Sequence, residues 1–126
     1  MNPHRIRQWA AAFGFLAVLL GAFGAHGLEE RLTELNRVET WETAVFYHFI
    51  HALALFGLSL MPRPPKGAVL GFIIGIVIFS GSLYALSLTG ITKLGAITPF
   101  GGLAMMVGWG CLFISKRGTE AESADH

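Results

Sequence analysis

Residues 47–61 read YHFIHALALFGLSLM. A tyrosine and two histidines three apart open a run that is otherwise aromatic and aliphatic. Its reading decides the fold. Hydrocarbon tolerates imidazole rings only where neighbouring helices shield them. A run of this kind is therefore either the inside of a large soluble core or one member of a membrane bundle. Working outward, the whole chain is 53% hydrophobic and 13% charged over 126 residues, whereas soluble domains carry about 25% charged residues. The few charges are clustered. They leave four uncharged stretches, Gln8 to Leu28, Thr43 to Pro62, Gly67 to Thr92 and Leu94 to Ser115. Each reaches the ~18–20 residues that a helix needs to cross a ~30 Å hydrocarbon core. Barrel strands fit poorly because the runs are continuously apolar and about twice a strand's length.

The expectation is an all-α integral membrane bundle of four transmembrane helices. It forms a single domain over residues 1–115, with a disordered polar tail over 116–126. The first stretch has the outline of a signal peptide: Arg5 and Arg7, an apolar middle, then Ala22, Gly24 and Ala25. Cleavage would leave an odd three-span protein and discard a glycine-patterned helix, so the segment is read as retained. One cysteine, Cys111, permits no internal disulfide. The net charge of +1, without a basic patch, gives no support for nucleic acid as a partner.

Orientation follows basic residues in short loops. Four spans put Arg5, Arg7, Arg63, Lys66, Lys116 and Arg117 on one side, against Arg31, Arg37 and Lys93 on the other. Both termini are thus expected in the cytoplasm, with the chain multi-pass in the cell membrane. Leu28, Leu32, Leu35 and Val38 recur at helical spacing and predict a short amphipathic helix on the outer surface after span one. Trp41 is read as an interfacial anchor at the start of span two. The turn MPRPPKG (61–67) ends that span, since proline cannot continue a helix. Thr98 before Pro99 fits an N-cap with proline at the first helical position, with Leu94 to Ile97 a non-helical approach.

Small residues mark the packing faces. Ala10, Gly14, Ala17, Gly21 and Gly24 fall on one side of span one. Gly71, Gly75 and Ser82 lie along span three, and Gly101 and Gly108 along span four. Lipid gives helices no hydrophobic reason to associate, so close backbone approach at such residues does the work. The polar inventory converges on the outer half of the bundle: His26, Tyr47, His48, His51, Ser80, Ser82, Tyr84 and Thr98, with Ser80, Tyr84 and Ser87 on one stripe. Two roles are open for it. The residues can bond one another across helices and fix the packing, or line a cavity for a small ligand or a proton. A third, weaker reading has His48 and His51 hold a metal or haem, but no third ligand lies at their depth. No acidic residue accompanies the serines, so no catalytic set is expected, and no cofactor. His51→Ala is expected to cost more than a change at Leu55.

The stretches GAFGAHGL (21–28), WETAVFYHFIHALAL (41–55), FSGSLYALSLTG (79–90) and LGAITPFGGLAMMVGW (94–109) resemble the domain of unknown function 423 family. These are the UPF0382 small bacterial membrane proteins, similar to the eukaryotic transmembrane protein 256. The resemblance implies four spans and carries no established activity. It marks Gly21, Gly24, Ala25, His26, Trp41, Tyr47, His51, Ser80, Gly81, Ser82, Tyr84, Thr98, Pro99, Gly101, Gly102, Gly108 and Trp109. It also implies glutamine at the His48 position in many relatives. The function expected is a small non-catalytic scaffold or accessory protein that self-associates or binds another membrane protein within the lipid bilayer. The alternative is a transporter or channel-like protein with a polar cavity around His51.

Overall fold

The computed structural model describes residues 1–116; the expected tail from Arg117 to His126 lies outside the described residues. Everything regular among them is helical. In order come α1 (Pro3–Ala25), α2 (Glu29–Glu34), α3 (Val38–Ser59), α4 (Lys66–Gly75), a π turn (Ile76–Ser80), α5 (Gly81–Thr89), a 3-10 turn (Thr92–Ala96) and α6 (Thr98–Ile114). Three rods are long and apolar enough to cross a membrane: Pro3–Ala25, Lys66–Thr89 and Thr92–Ile114. The first, α1, runs about five residues earlier than the uncharged stretch suggested. Asn2 Oδ1 accepts from the Arg5 amide at 2.9 Å, and Pro3 occupies the first turn, so the helix starts among the basic residues. The fourth long helix, α3, has 22 residues but also holds Glu39, Glu42, His48 and His51, which set it apart from the other three.

Consecutive rods run antiparallel. Gly24 of α1 meets Trp41 of α3, while Ala10 lies near Ala52 at the other end. Gly67 of α4 meets Cys111 of α6, and Ser82 of α5 meets Thr98. The two pairs, α1 with α3 and α4–α5 with α6, join through α3. The common core consists of Ile6, Ala10 and Phe13, Ala52, Leu55 and Leu58, Ala68, Val69, Phe72 and Ile76, and Met105. Outside it lies a girdle of large apolar side chains in the open, among them Phe15, Met106 and Phe113, the last 88% exposed. Water would penalise such a surface by about 25 cal/mol per Å²; acyl chains do not.

The glycines divide sharply. A Cβ on Gly71 would stand 2.7 Å from the Ala104 carbonyl oxygen and 2.8 Å from Gly108 Cα. One on Gly101 would stand 2.7 Å from Phe79 Cα, and one on Gly108 2.7 Å from the Phe72 ring. Gly75 is closed off by Met105, Gly24 by the Trp41 indole, and Gly21 by Val45 at 3.3 Å. Six of the seven glycines read as packing positions therefore lie at contacts. Gly14 does not: nothing lies within 4 Å of its Cβ position. The buried stripe of α1 runs Ile6, Ala10, Phe13, Ala17, so the aromatic ring at 13 supplies the contact and rotates Gly14 off the seam.

The connections also differ from expectation. The amphipathic helix is only six residues long, with Leu32 buried beneath it. Asn36, at φ 54°, breaks the chain, and Val38 opens α3 instead of continuing α2. Residues 92–96 are 3-10 helical, where a non-helical approach was expected, and the cap of α6 is Ile97. Thr98 is the first residue of the helix and spends its hydroxyl elsewhere. Beyond Thr89, Gly90 closes the rod with φ 73°, a left-handed conformation that glycine adopts without cost.

Candidate functional site

The polar residues inside the bundle form three separate bonded groups and not one layer. At the α2 end, Trp41 is only 3% exposed, and its indole N–H donates to the Leu20 carbonyl at 2.9 Å. It is no interfacial anchor. Gly24, by lacking a side chain, leaves room for the ring against α1. The same indole lies 4.8 Å from the Tyr84 ring, and Tyr84 hydroxyl and His48 Nδ1 bond at 2.8 Å. His48 stands edge-on to Phe13, and its Nε2 is buried without a hydrogen-bond partner among the described residues. Ser87 Oγ, one turn beyond Tyr84, is the other buried group without a partner.

Deeper along α3, His51 Nδ1 bonds the Tyr47 carbonyl at 2.7 Å, and Trp109 Nε1 donates to His51 Nε2 at 3.0 Å. A carbonyl can only accept and an indole can only donate. The network therefore assigns a neutral ring with its proton on Nδ1. Phe72 packs on both, 5.3 Å from His51 and 4.8 Å from Trp109 between centroids. The third group lies where the π turn meets α6. Ser82 Oγ donates to the Phe79 carbonyl at 2.9 Å, which uses its only proton, so Thr98 is the donor in the 2.6 Å bond between the two hydroxyls. Ser80 Oγ crosses to the Ala44 carbonyl at 2.8 Å. Single π turns recur where a helix is reshaped for a site. Here the turn lets Ser80 reach α3 while Ser82 reaches α6.

Two of the expected cluster members fall outside it. His26 caps the C-terminus of α1 and is exposed, because the chain turns away at Gly27 and carries its ring to the surface beside Glu29 and Glu30. Tyr47 is 40% exposed and contributes a carbonyl, not its hydroxyl; one residue before His48, it sits about 100° round the helix against Phe79. Nor do His48 and His51 converge. His48 turns to Tyr84 and Phe13, His51 to Trp109 and Phe72. Both nitrogens of His51 are engaged, leaving no lone pair free for a metal. Among the described residues no three His, Cys, Asp or Glu side chains come together.

The groups are also spread along the axis of the bundle. Ala44 to His51 covers ~10 Å of helix, and Thr98 to Trp109 ~16 Å. The groups descend through the bundle like a stair, and Trp41 and Trp109, absent from the expected cluster, hold its two ends. Neither tryptophan's partner is readable from spacing, since each is set by the register between helices far apart in sequence.

A family profile described as "Protein of unknown function (DUF423)" matches residues 20–102, more than half of the chain. The chain belongs to this family. The DUF423 match takes in α3 and both segments of the π-turned rod, with every bonded group except Trp109 and Phe13 inside it. Relatives bear membrane-protein names. The UPF0382 membrane protein YwdK of Bacillus subtilis is 48% identical over 100 residues, 75% of this chain and 80% of its own. A UPF0382 membrane protein of Schizosaccharomyces pombe is 40% identical over 114 residues, 83% and 95% respectively. A third, from Haemophilus influenzae, is 40% identical over 103 residues, 79% and 82%. No solved structure matches. With the apolar rods and the open apolar girdle, these names make this DUF423 chain a membrane protein.

His48 supplies a sharp test of how the site works. Glutamine can replace its single bond to the Tyr84 hydroxyl, whereas leucine leaves that hydroxyl buried and unpaired. His48→Gln should shift stability by less than about 1 kcal/mol, and His48→Leu should cost ~1–3 kcal/mol. Thermal unfolding of both variants in one detergent checks this; equal losses would show that the ring's shape matters, not its bond.

Proposed function

We propose that the protein is a non-catalytic scaffold or accessory subunit of the cytoplasmic membrane. It crosses the bilayer four times, α3 included, and keeps both termini inside. One observation carries this reading. The buried imidazole of His51 has both nitrogens bonded and sits between Phe72 and Trp109, which leaves it no capacity to bind or relay. Such a ring fixes helices; it does not process a substrate. The backbone-on-backbone seam of α4 with α6 agrees, since it favours rigidity over opening. The α3 crossing is favoured because its two histidines face partner helices, where an ionisable ring is tolerated. The six-to-three basic asymmetry supports the orientation.

A second reading, a proton-conducting or ligand-transporting bundle, draws on His48 Nε2 and Ser87 Oγ, both buried without partners among the described residues. Reconstitution into vesicles loaded with a pH-sensitive dye separates the two. The scaffold reading expects no flux above protein-free vesicles under an imposed proton gradient or membrane potential. A flux that disappears in His48→Gln overturns it in favour of the second. Single cysteines introduced at Arg63 and at Lys93, in a Cys111→Ser background, test the crossing. An impermeant thiol reagent added outside intact cells should label position 93 and not 63; labelling of both would overturn the four-span arrangement.

A further inference from the structure

The α1–α3 face carries a long apolar crease. Near α2 it widens to a groove of about 660 Å³, floored by Gly21, Ala25, Val45, Phe46 and Ile50, with Glu29 and Glu42 among its lining. Beyond Phe49, which lines both, it continues as a second groove of about 570 Å³ between Gly14, Val18 and Phe56. The two share one stripe of each helix. From Glu42 to Phe56 the crease follows α3 for ~21 Å, longer than the ~15 Å half of a hydrocarbon core. It is thus apolar along its length and charged only at one end.

Those end charges are unpaired. Glu29 and Glu42 are both exposed, and neither has an ion pair among the described residues. Arg31, two residues from Glu29, has its guanidinium donating to the Leu88 carbonyl at 3.3 Å. Glu30, Glu34 and Glu39 add to the same end, where five of the chain's eight acidic residues lie against three basic ones, Arg31, Arg37 and Lys93. From this complementarity we infer that the crease holds a phospholipid with an ammonium headgroup. The ammonium sits between Glu29 and Glu42 in charge-assisted contact, and one acyl chain runs down past Phe49. The groove opens sideways on the apolar girdle, so a bilayer lipid reaches it without leaving the membrane. This goes beyond the scaffold reading and holds whether or not the protein conducts.

Native mass spectrometry of the full chain, released from detergent with lipids of matched acyl chains, tests it. Phosphatidylethanolamine and phosphatidylcholine should be retained over phosphatidylglycerol, which shares the phosphate but lacks the ammonium. The double variant Glu29→Gln, Glu42→Gln should lower retention of the two ammonium lipids about fivefold without lowering that of the anionic phosphatidylglycerol. Ala25→Trp, which fills the groove without touching its charges, should lower retention of all three. Equal retention of phosphatidylethanolamine and phosphatidylglycerol by the unmodified chain overturns the inference, as does unchanged retention in the glutamine variant. A homodimer that excludes lipid would make a second copy the occupant. Binding of dodecyltrimethylammonium without phosphatidylethanolamine would make it a free amphiphilic cation.

Discussion

Gly101→Ala should destabilise the bundle by on the order of 3 kcal/mol, and Gly71→Ala by a similar amount. The added methyl at 101 meets the backbone of Phe79, and at 71 the backbone of Ala104 and Gly108. Main chain cannot rotate out of the way as the end of a side chain can, so α4 and α6 must separate along their whole seam. That separation forfeits dispersion contacts at every neighbouring level, Gly75 with Met105 and Gly108 with Phe72 among them. Gly14→Ala and Gly110→Ala are the controls. Among the described residues neither position has a neighbouring atom within 4 Å of the new carbon beyond its own helix turn, and alanine is the better helix former by up to about 1 kcal/mol. Those variants should unfold at or slightly above the parent temperature in the same detergent. Equal losses at 101 and 14 would mean that the seam is not where the stability resides.

The next largest effect is expected at His51. His51→Ala opens a cavity against Phe72 and leaves the Trp109 N–H and the Tyr47 carbonyl without this partner, for a total of ~2–5 kcal/mol. Leu55, the comparison suggested by sequence, turns out to be fully buried in the core. Its truncation should cost as much, so Leu53, 56% exposed, replaces it as the control. To isolate the hydrogen bond, Trp109→Phe is combined with His51→Ala in a double-mutant cycle. A coupling of about 0.6–1.7 kcal/mol is expected, the range found for bonds between membrane helices. Additive losses would mean that the bond contributes nothing and that His51 acts by volume alone.

What could be read from the sequence follows from where each signal is stored. Helix existence is written locally, in uninterrupted apolar runs and in the prolines of 61–67, and every expected run contains a helix. The α4–α6 seam was legible because Gly71, Gly75, Gly101 and Gly108 have no purpose in a helix other than close approach. Span one misled because a stripe at steps of three and four cannot choose between neighbours: Phe13 and Gly14 differ by one position, and only the packed register awards the seam to the larger ring. The polar cluster was legible as an inventory and illegible as a network. His51 was recognisable as buried, but its partner lies 58 residues away on another helix. His26 and Tyr47 were drawn in by their chemistry, although a chain turn exposes one and a 100° rotation the other. Trp41 followed the habit of tryptophan at membrane edges, which the cavity above Gly24 overrides.

The unequal construction of the two helix pairs bears on how the molecule meets membranes of different thickness. The pair α4–α5 with α6 is locked by main chain against main chain, so it can tilt only as one block. The pair α1 with α3 is hollowed along its outward side, and near α2 it is pinned by the bond from the Trp41 indole to the Leu20 carbonyl. Compression or stretching of the surrounding bilayer should therefore be taken up first along the hollowed outward side of α1 and α3, and last at the seam of α4 with α6.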